Sequence, residues 1–179
     1  DGEGAFRAMR GALADAGLNP SEVDYINAHG TGTPNNDASE SAAMLRLFGD
    51  RVPPVSSTKA FTGHTTSASG AIETVICLLA LRYGFLPVNL NWQHPMDNGI
   101  VPVRESRPPR EIRHVLCNSF GFGGNDSSLL LSKCKNDETN LHTRRRADFA
   151  PATAQRRVDV GPVYCREPYA RAVDPDFRL

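Results

Sequence analysis

The sequence has no surplus of either charge: 20 Lys+Arg stand against 20 Asp+Glu over 179 residues. A general nucleic-acid or acidic-membrane binder works through a basic excess, so neither class is expected. Cysteine is sparse. Cys77, Cys117, Cys134 and Cys165 fall in no CxxC spacing, and two of them sit inside apolar runs. That pattern argues against a disulfide framework or a thiolate zinc knuckle and for a reducing cytoplasm. Long hydrophobic runs are missing too: the most apolar stretch, residues 71–81, is too short to span a bilayer and carries Glu73. Asp1-Gly2-Glu3-Gly4 has neither the basic start nor the apolar stretch of a secretory leader. These absences predict a soluble cytoplasmic chain. What is present, 40% apolar and 22% charged residues, suits one globular domain with or without a tail.

Glycine divides the chain. Residues 1–134 hold 14 of the 15 glycines and nearly all the apolar runs, whereas residues 135–179 hold one glycine, four prolines and nine Lys+Arg against seven Asp+Glu. The second segment has no sustained period of 2 or 3.6 and is read as a disordered tail. Its Arg144-Arg145-Arg146 run is taken as solvated rather than as a nucleic-acid patch.

Residues 1–134 alternate helix and strand patterns. Phe6, Met9, Leu13 and Ala16 recur at helical spacing, and Gly17 stands where a left-handed cap belongs. Residues 23–28 read as a strand, followed by a polar loop over 29–36. Asp37 is expected to cap the next helix, with Glu40 as its capping-box partner. Residues 53–57 read as a short strand, and a long helix is expected from about Gly63 to Tyr83. Its small early residues, 67–71, allow close backbone packing. Residues 113–119, a glycine turn and residues 127–131 read as strand, turn, strand. The pattern implies an α/β domain of three layers with a mixed sheet.

Chemistry-bearing residues collect at strand ends. His29 follows the first strand, Lys59 the second, His64 stands at the mouth of the expected long helix, and the 120–124 glycine turn follows a third strand. Ligands of open α/β sheets bind outside the carboxyl ends of strands. At a helix N-terminus His64 would stay neutral and offer an N–H to an oxygen gaining negative charge; the plainer reading is a loop histidine bonded to Thr62 or Thr65. Lys59, one of three lysines in an arginine-rich chain, suggests a compact, partly buried charge. The Gly121-Phe122-Gly123-Gly124 run precedes a strand, not a helix, so a dinucleotide site is rejected. No metal-ligand spacing such as HExxH is present.

Three motifs in order, Asn27-Ala28-His29-Gly30-Thr31-Gly32-Thr33-Pro34, then Ser56-Ser57-Thr58-Lys59 with Thr62-Gly63-His64, then Asn118-Ser119-Phe120-Gly121-Phe122-Gly123-Gly124, resemble the C-terminal half of β-ketoacyl-acyl-carrier-protein synthases. The resemblance covers about residues 4–134. It implies the C-terminal half of the thiolase-like fold, a pseudo-duplicate of two similar halves packed face to face. It also implies a decarboxylative Claisen condensation of fatty-acid or polyketide synthesis, joining an acyl group on a cysteine to malonyl-acyl carrier protein. His29 and His64 would polarise the malonyl thioester carbonyl, and Lys59 would support them. Glu73 and Asn118 would join the supporting network. Glu73 lies nine residues from His64, roughly opposite it if both were on one helix, so its place rests on the resemblance alone. Thr31 and Thr33 would line the phosphopantetheine channel, and Phe120 would gate the site. No resident cofactor or metal is implied, because phosphopantetheine arrives on the carrier protein.

The sequence also departs from the family pattern. The half that bears the nucleophilic cysteine is absent, and none of the four cysteines here has that setting. Gly32 replaces a common serine, and Asn125-Asp126 replaces the usual Thr-Asn after the glycines, a change expected to disturb the turn. A lone half would expose apolar surface. The expected partners are acyl carrier protein and the missing half or a homologous subunit. A synthase fragment is the first reading. A non-catalytic half-fold that pairs with a synthase or a chain-length-factor-like subunit is the alternative.

Overall fold

The computed structural model describes residues 2–97 and 99–134; the tail expected over residues 135–179 lies outside the described residues. Four strands form one sheet in the order β2-β1-β3-β4. They are β1 (Tyr25–Asn27), β2 (Val55–Ser56), β3 (His114–Phe120) and β4 (Asp126–Ser132). β1 runs parallel to β2 and β3, and β4 returns antiparallel to β3 with Phe120 opposite Asp126. The hairpin closes in register despite Asn125-Asp126, so the disturbed turn expected from that departure is not found.

Period-2 alternation decides which side chain meets which layer. Ile26 and Leu116 face one side with Phe6, Met9 and Leu13 of α1 (Glu3–Ala16) and Ala43, Met44 and Phe48 of α2 (Pro34–Phe48). Tyr25, Val115 and Cys117 face the other, with Cys77, Ala80 and Leu81 of α4 (Ser69–Tyr83). The result is the three-layer arrangement with a mixed sheet that the element pattern implies. α1 ends at Gly17 in the left-handed region, as its spacing predicts.

Two helix starts differ from expectation. α2 begins at Pro34, with Thr33 as its N-cap, and the Asp37 amide already donates to the Thr33 carbonyl. Proline suits the first helical position, where no N–H partner is needed, and this moves the start ahead of Asp37. Glu40 is therefore no capping-box partner; it sits nearly two turns into α2 and turns inward. The long helix expected from about Gly63 starts later, as α4 at Ser69, with a 3-10 turn (Thr66–Ala68) before it and a separate four-residue α3 (Lys59–Thr62) ahead of Gly63. His64 thus lies in a loop ahead of α4, not at its mouth. The close packing expected of the small residues does hold: a Cβ on Gly70 would meet Ser119 Oγ at 2.8 Å.

α4 carries apolar residues on every side. Its inner face meets β3, while Val75, Leu78, Leu79 and Tyr83 stand exposed. This is the uncovered apolar surface expected of a half-fold.

Candidate active site

The carboxyl ends of β1, β2 and β3 bring the predicted residues together. His29 follows β1 and is buried, 7% exposed. Its turn is held by side chains at every backbone polar group. The His29 and Gly30 N–H groups donate to Glu40 Oε1 and Oε2, each at 2.9 Å. The His29 carbonyl accepts from Lys59 Nζ at 2.5 Å, and the Gly30 carbonyl accepts from Ser57 Oγ at 2.8 Å. Gly30 is required here: its φ is +45°, and a Cβ would lie 2.5 Å from that of Ser57.

Lys59 opens α3, buried as its scarcity suggested. Its ammonium donates to Glu73 Oε1 at 2.5 Å, to the His29 carbonyl, and faces His29 Nδ1 at 3.4 Å. The pair is closed to water, with side chains 6% and 1% exposed. A compact ammonium with three tetrahedral donors fits these three acceptors, which a planar guanidinium would not. Glu73 reaches Lys59 from the first turns of α4, and the interruption before Ser69 removes the azimuth that placed it opposite His64. It also accepts from Ser69 Oγ at 3.3 Å.

His64 is exposed, and its ring centroid lies 5.4 Å from that of His29 with the planes at 82°. Its Nδ1 accepts the Thr66 N–H at 3.3 Å, so its partner is neither Thr62 nor Thr65. Thr66 adopts φ 50°, a left-handed conformation uncommon for a β-branched residue. With Nδ1 accepting, the ring proton belongs on Nε2. The backbone amide of Thr66, and not a helix N-terminus, is the group that meets His64 Nδ1. His29 reaches the same tautomer through Lys59. Burial first, then the Lys59 ammonium and then His64, lowers the His29 pKa to about 4, so this ring is neutral at pH 7.

Phe120 ends β3 with its ring 5.8 Å from His29. Phe122, in the glycine turn, is fully exposed. Asn118 is buried, donating to Glu40 Oε1 at 3.1 Å and accepting from Ser128 Oγ at 2.7 Å. Thr31 is half-buried and Thr33 exposed, with their hydroxyls 3.0 Å apart. A cleft of about 520 Å³ adjoins the cluster, lined by Thr31, Lys59 and His64 together with Asp37, Met44 and Trp92. Sequence reasoning assigned Glu40 a local cap and missed its contact with the His29 turn.

Among the described residues no group of His, Cys, Asp and Glu could hold a metal ion. Cys77 and Cys117 are buried, and the hydrogen bond with Cys117 and burial push the Cys77 thiol far above its ordinary value. Neither has the setting of a nucleophile. No helix among the described residues is long and apolar enough to cross a membrane.

Comparison with known proteins agrees with this geometry. Residues 1–93 match the family described as Beta-ketoacyl synthase, C-terminal domain. Over 138 residues the chain is 46% identical to 3-oxoacyl-[acyl-carrier-protein] synthase 2 of Coxiella burnetii, covering 74% of this chain and 33% of that protein. It is 40% identical over 136 residues to 3-oxoacyl-[acyl-carrier-protein] synthase 1 of Escherichia coli K12, covering 75% and 32%. Among solved structures it is similar to the ishigamide ketosynthase/chain length factor, with TM-score 0.72 and 36% identity over 75% of this chain and 34% of that one. A type II PKS acyl-carrier protein in complex with its ketosynthase, AntDE:AntF, gives TM-score 0.70 and 31% identity over the same shares. The chain spans about one third of the length of the curated relatives it matches. Half of the sequence falls under one family description and its fold recurs in solved ketosynthases, so the chain belongs to the β-ketoacyl synthase family and carries its C-terminal half in the thiolase-like fold.

Proposed function

We propose that this chain supplies the carbonyl-polarising side of a decarboxylative Claisen condensation on malonyl-acyl carrier protein, in fatty-acid or polyketide synthesis. The observation that carries the reading is the juxtaposition of two imidazoles, each with Nδ1 occupied by a donor and the proton left on Nε2. In the reaction the bond from the malonyl methylene to its carboxylate breaks and carbon dioxide leaves. The electron pair moves onto the thioester carbonyl, and the enolate carbon then attacks the acyl thioester on a cysteine outside this chain. A new carbon–carbon bond forms as that thiolate departs. His29 and His64 donate to the oxygen that gains charge, a task for which N–H donors fixed beforehand are suited. Lys59, held by Glu73, keeps the His29 Nδ1 an acceptor. Phe120 lies against His29 as the gating side chain, Asn118 steadies the network, and Thr31 and Thr33 stand by the cleft that would admit phosphopantetheine.

Acyl carrier protein and a companion portion bearing the cysteine are the partners this reading requires. The exposed apolar face of α4 is the surface the companion would cover. The test is to join the chain with the cysteine-bearing portion of a synthase and measure carbon dioxide release from malonyl-acyl carrier protein. His29→Ala or His64→Ala is expected to lower release by about 10²–10³-fold or more, the scale of a lost oxyanion donor. Release near the parent rate in either variant overturns the reading. The chain alone is expected to take no acyl group. An acyl adduct on Cys117, seen by intact mass, would contradict this.

A further inference from the structure

We propose that the outer edge of β4 docks a second copy of this chain, strand against strand, about a two-fold axis at Leu129. The proposal does not depend on the chemistry assigned to the histidines. β2 and β4 are the edges of the sheet, and they are finished differently. β2 has only Val55 and Ser56, and Pro53 and Pro54 precede it. Its outward groups are taken: the Val55 carbonyl accepts the Val103 N–H and the Ser57 N–H donates to Asn89 Oδ1, each at 2.8 Å. β4 runs for seven residues, Asp126–Ser132, with no proline and no charge after Asp126. The Lys133 N–H donates to the Arg113 carbonyl opposite it, so by alternation Ser127, Leu129 and Leu131 bond to β3. The N–H and C=O groups of Asp126, Ser128, Leu130 and Ser132 therefore point away from the sheet. Among the described residues these groups have no backbone partner, and a long edge of that kind is a template for another strand.

Self-pairing fits the sequence of this edge. Antiparallel pairing sets outward residues opposite outward residues, and one such register overlaps the whole strand with itself. In it Ser128 of one copy faces Leu130 of the other, Asp126 faces Ser132, and Leu129 faces its own copy across the axis. The Ser128–Leu130 and Asp126–Ser132 pairs exchange both N–H···O=C bonds, and Leu129 forms the closer, non-hydrogen-bonded pair. Leu129 is 40% exposed, opposite Cys117 of β3, so the pairing buries apolar surface at the axis. Charge agrees with this register. The strand's one anion, Asp126, stands at opposite ends of the two copies, and each comes to the end where Lys133 follows Ser132 of the other. An interface in which each residue meets its reciprocal partner closes as a dimer and does not propagate. The edge is also distinct from the exposed side of α4, a helix that packs on one face of the sheet.

The test is sedimentation together with amide hydrogen exchange on the full chain, scanned in concentration up to about 1 mM. The chain is expected to pass from monomer to dimer, and exchange at the Ser128 and Leu130 amides to slow by about tenfold or more as it does. Ser127 and Leu129, bonded to β3, should be protected throughout. A chain that stays monomeric over that range overturns the proposal. So does protection of Ser128 and Leu130 that ignores concentration, because a segment of the same chain then covers the edge. A dimer in which those amides exchange freely overturns it as well, since another surface, such as α4, then joins the copies. Leu129→Lys and Leu129→Glu probe the axis. Each alone sets like charges opposite each other and is expected to weaken association by about tenfold or more, whereas an equimolar mixture should restore it. A mixture no more associated than either variant by itself overturns the pairing about Leu129. If neither variant folds, the exchange pattern of the unaltered chain decides.

Discussion

The two histidine segments are built in opposite ways. The His29 turn is closed to water, and each of its backbone polar groups is taken by a side chain from α2, α3 or the end of β2. The His64 loop is exposed and its ring is held by one backbone amide, from a threonine in a left-handed conformation. Two rings proposed for one task therefore differ in what keeps them in place: a buried polar network for one, local backbone geometry for the other. A network resists motion but suffers badly when one member is removed. A loop tolerates change yet depends on its own dihedral angles.

The largest effect should come from breaking the buried side of this contrast. Lys59→Met leaves Glu73 charged and dry, and is expected to cost about 3–5 kcal/mol in urea unfolding. The double variant Lys59→Met with Glu73→Gln should recover much of that loss, because no charge is then stranded. A single-variant cost below about 1 kcal/mol would show the network to be far looser than its burial implies.

Acid should act on the same side with a smaller effect. The His29 pKa falls from 6.5 in the unfolded chain to about 4 in the folded one, so the unfolded state binds the extra proton first. The contribution of the neutral ring is complete above about pH 6.5 and is lost as pH drops toward 4. On the order of 1–3 kcal/mol is at stake. Comparing unfolding of the parent and His29→Gln between pH 7 and 4 isolates it: the parent should lose more stability than the variant. Parallel curves would mean that His29 titrates normally.

The smallest effect belongs to the exposed loop. Thr66→Asn keeps the N–H and places a residue tolerant of positive φ at that position. It is expected to stabilise the chain by about 0.5–1 kcal/mol and to leave the His64 tautomer unchanged. A destabilisation there would mean that the threonine side chain, and not only its amide, holds the loop.

How much of this was legible in the sequence differs between the same two regions. His29, Lys59 and His64 could be singled out because polar residues at strand ends stand against apolar runs, and three ordered motifs named the family. The alternation through β1 and β3 and the cap at Gly17 followed from simple periods. Glu40 was hidden because a nearby Asp37 offered it a local explanation, while its backbone partners sit ten and eleven residues back across a turn and Asn118 reaches it from β3. The loop before α4 was hidden for another reason. Small residues over 67–71 permit a helix without fixing where it begins, and no propensity predicts a threonine at φ 50°. Periodicity reports what a segment buries, not which backbone amide an inward carboxylate will find.

The ammonium of Lys59 offers a last lesson about division of labour. Its three hydrogens already point at Glu73, at the His29 carbonyl and at His29 Nδ1, so it has none left to hand to an incoming thioester. In the proposed reaction Lys59 would contribute a positive potential and not a proton, leaving direct contact with the substrate oxygen to the imidazoles it holds in line.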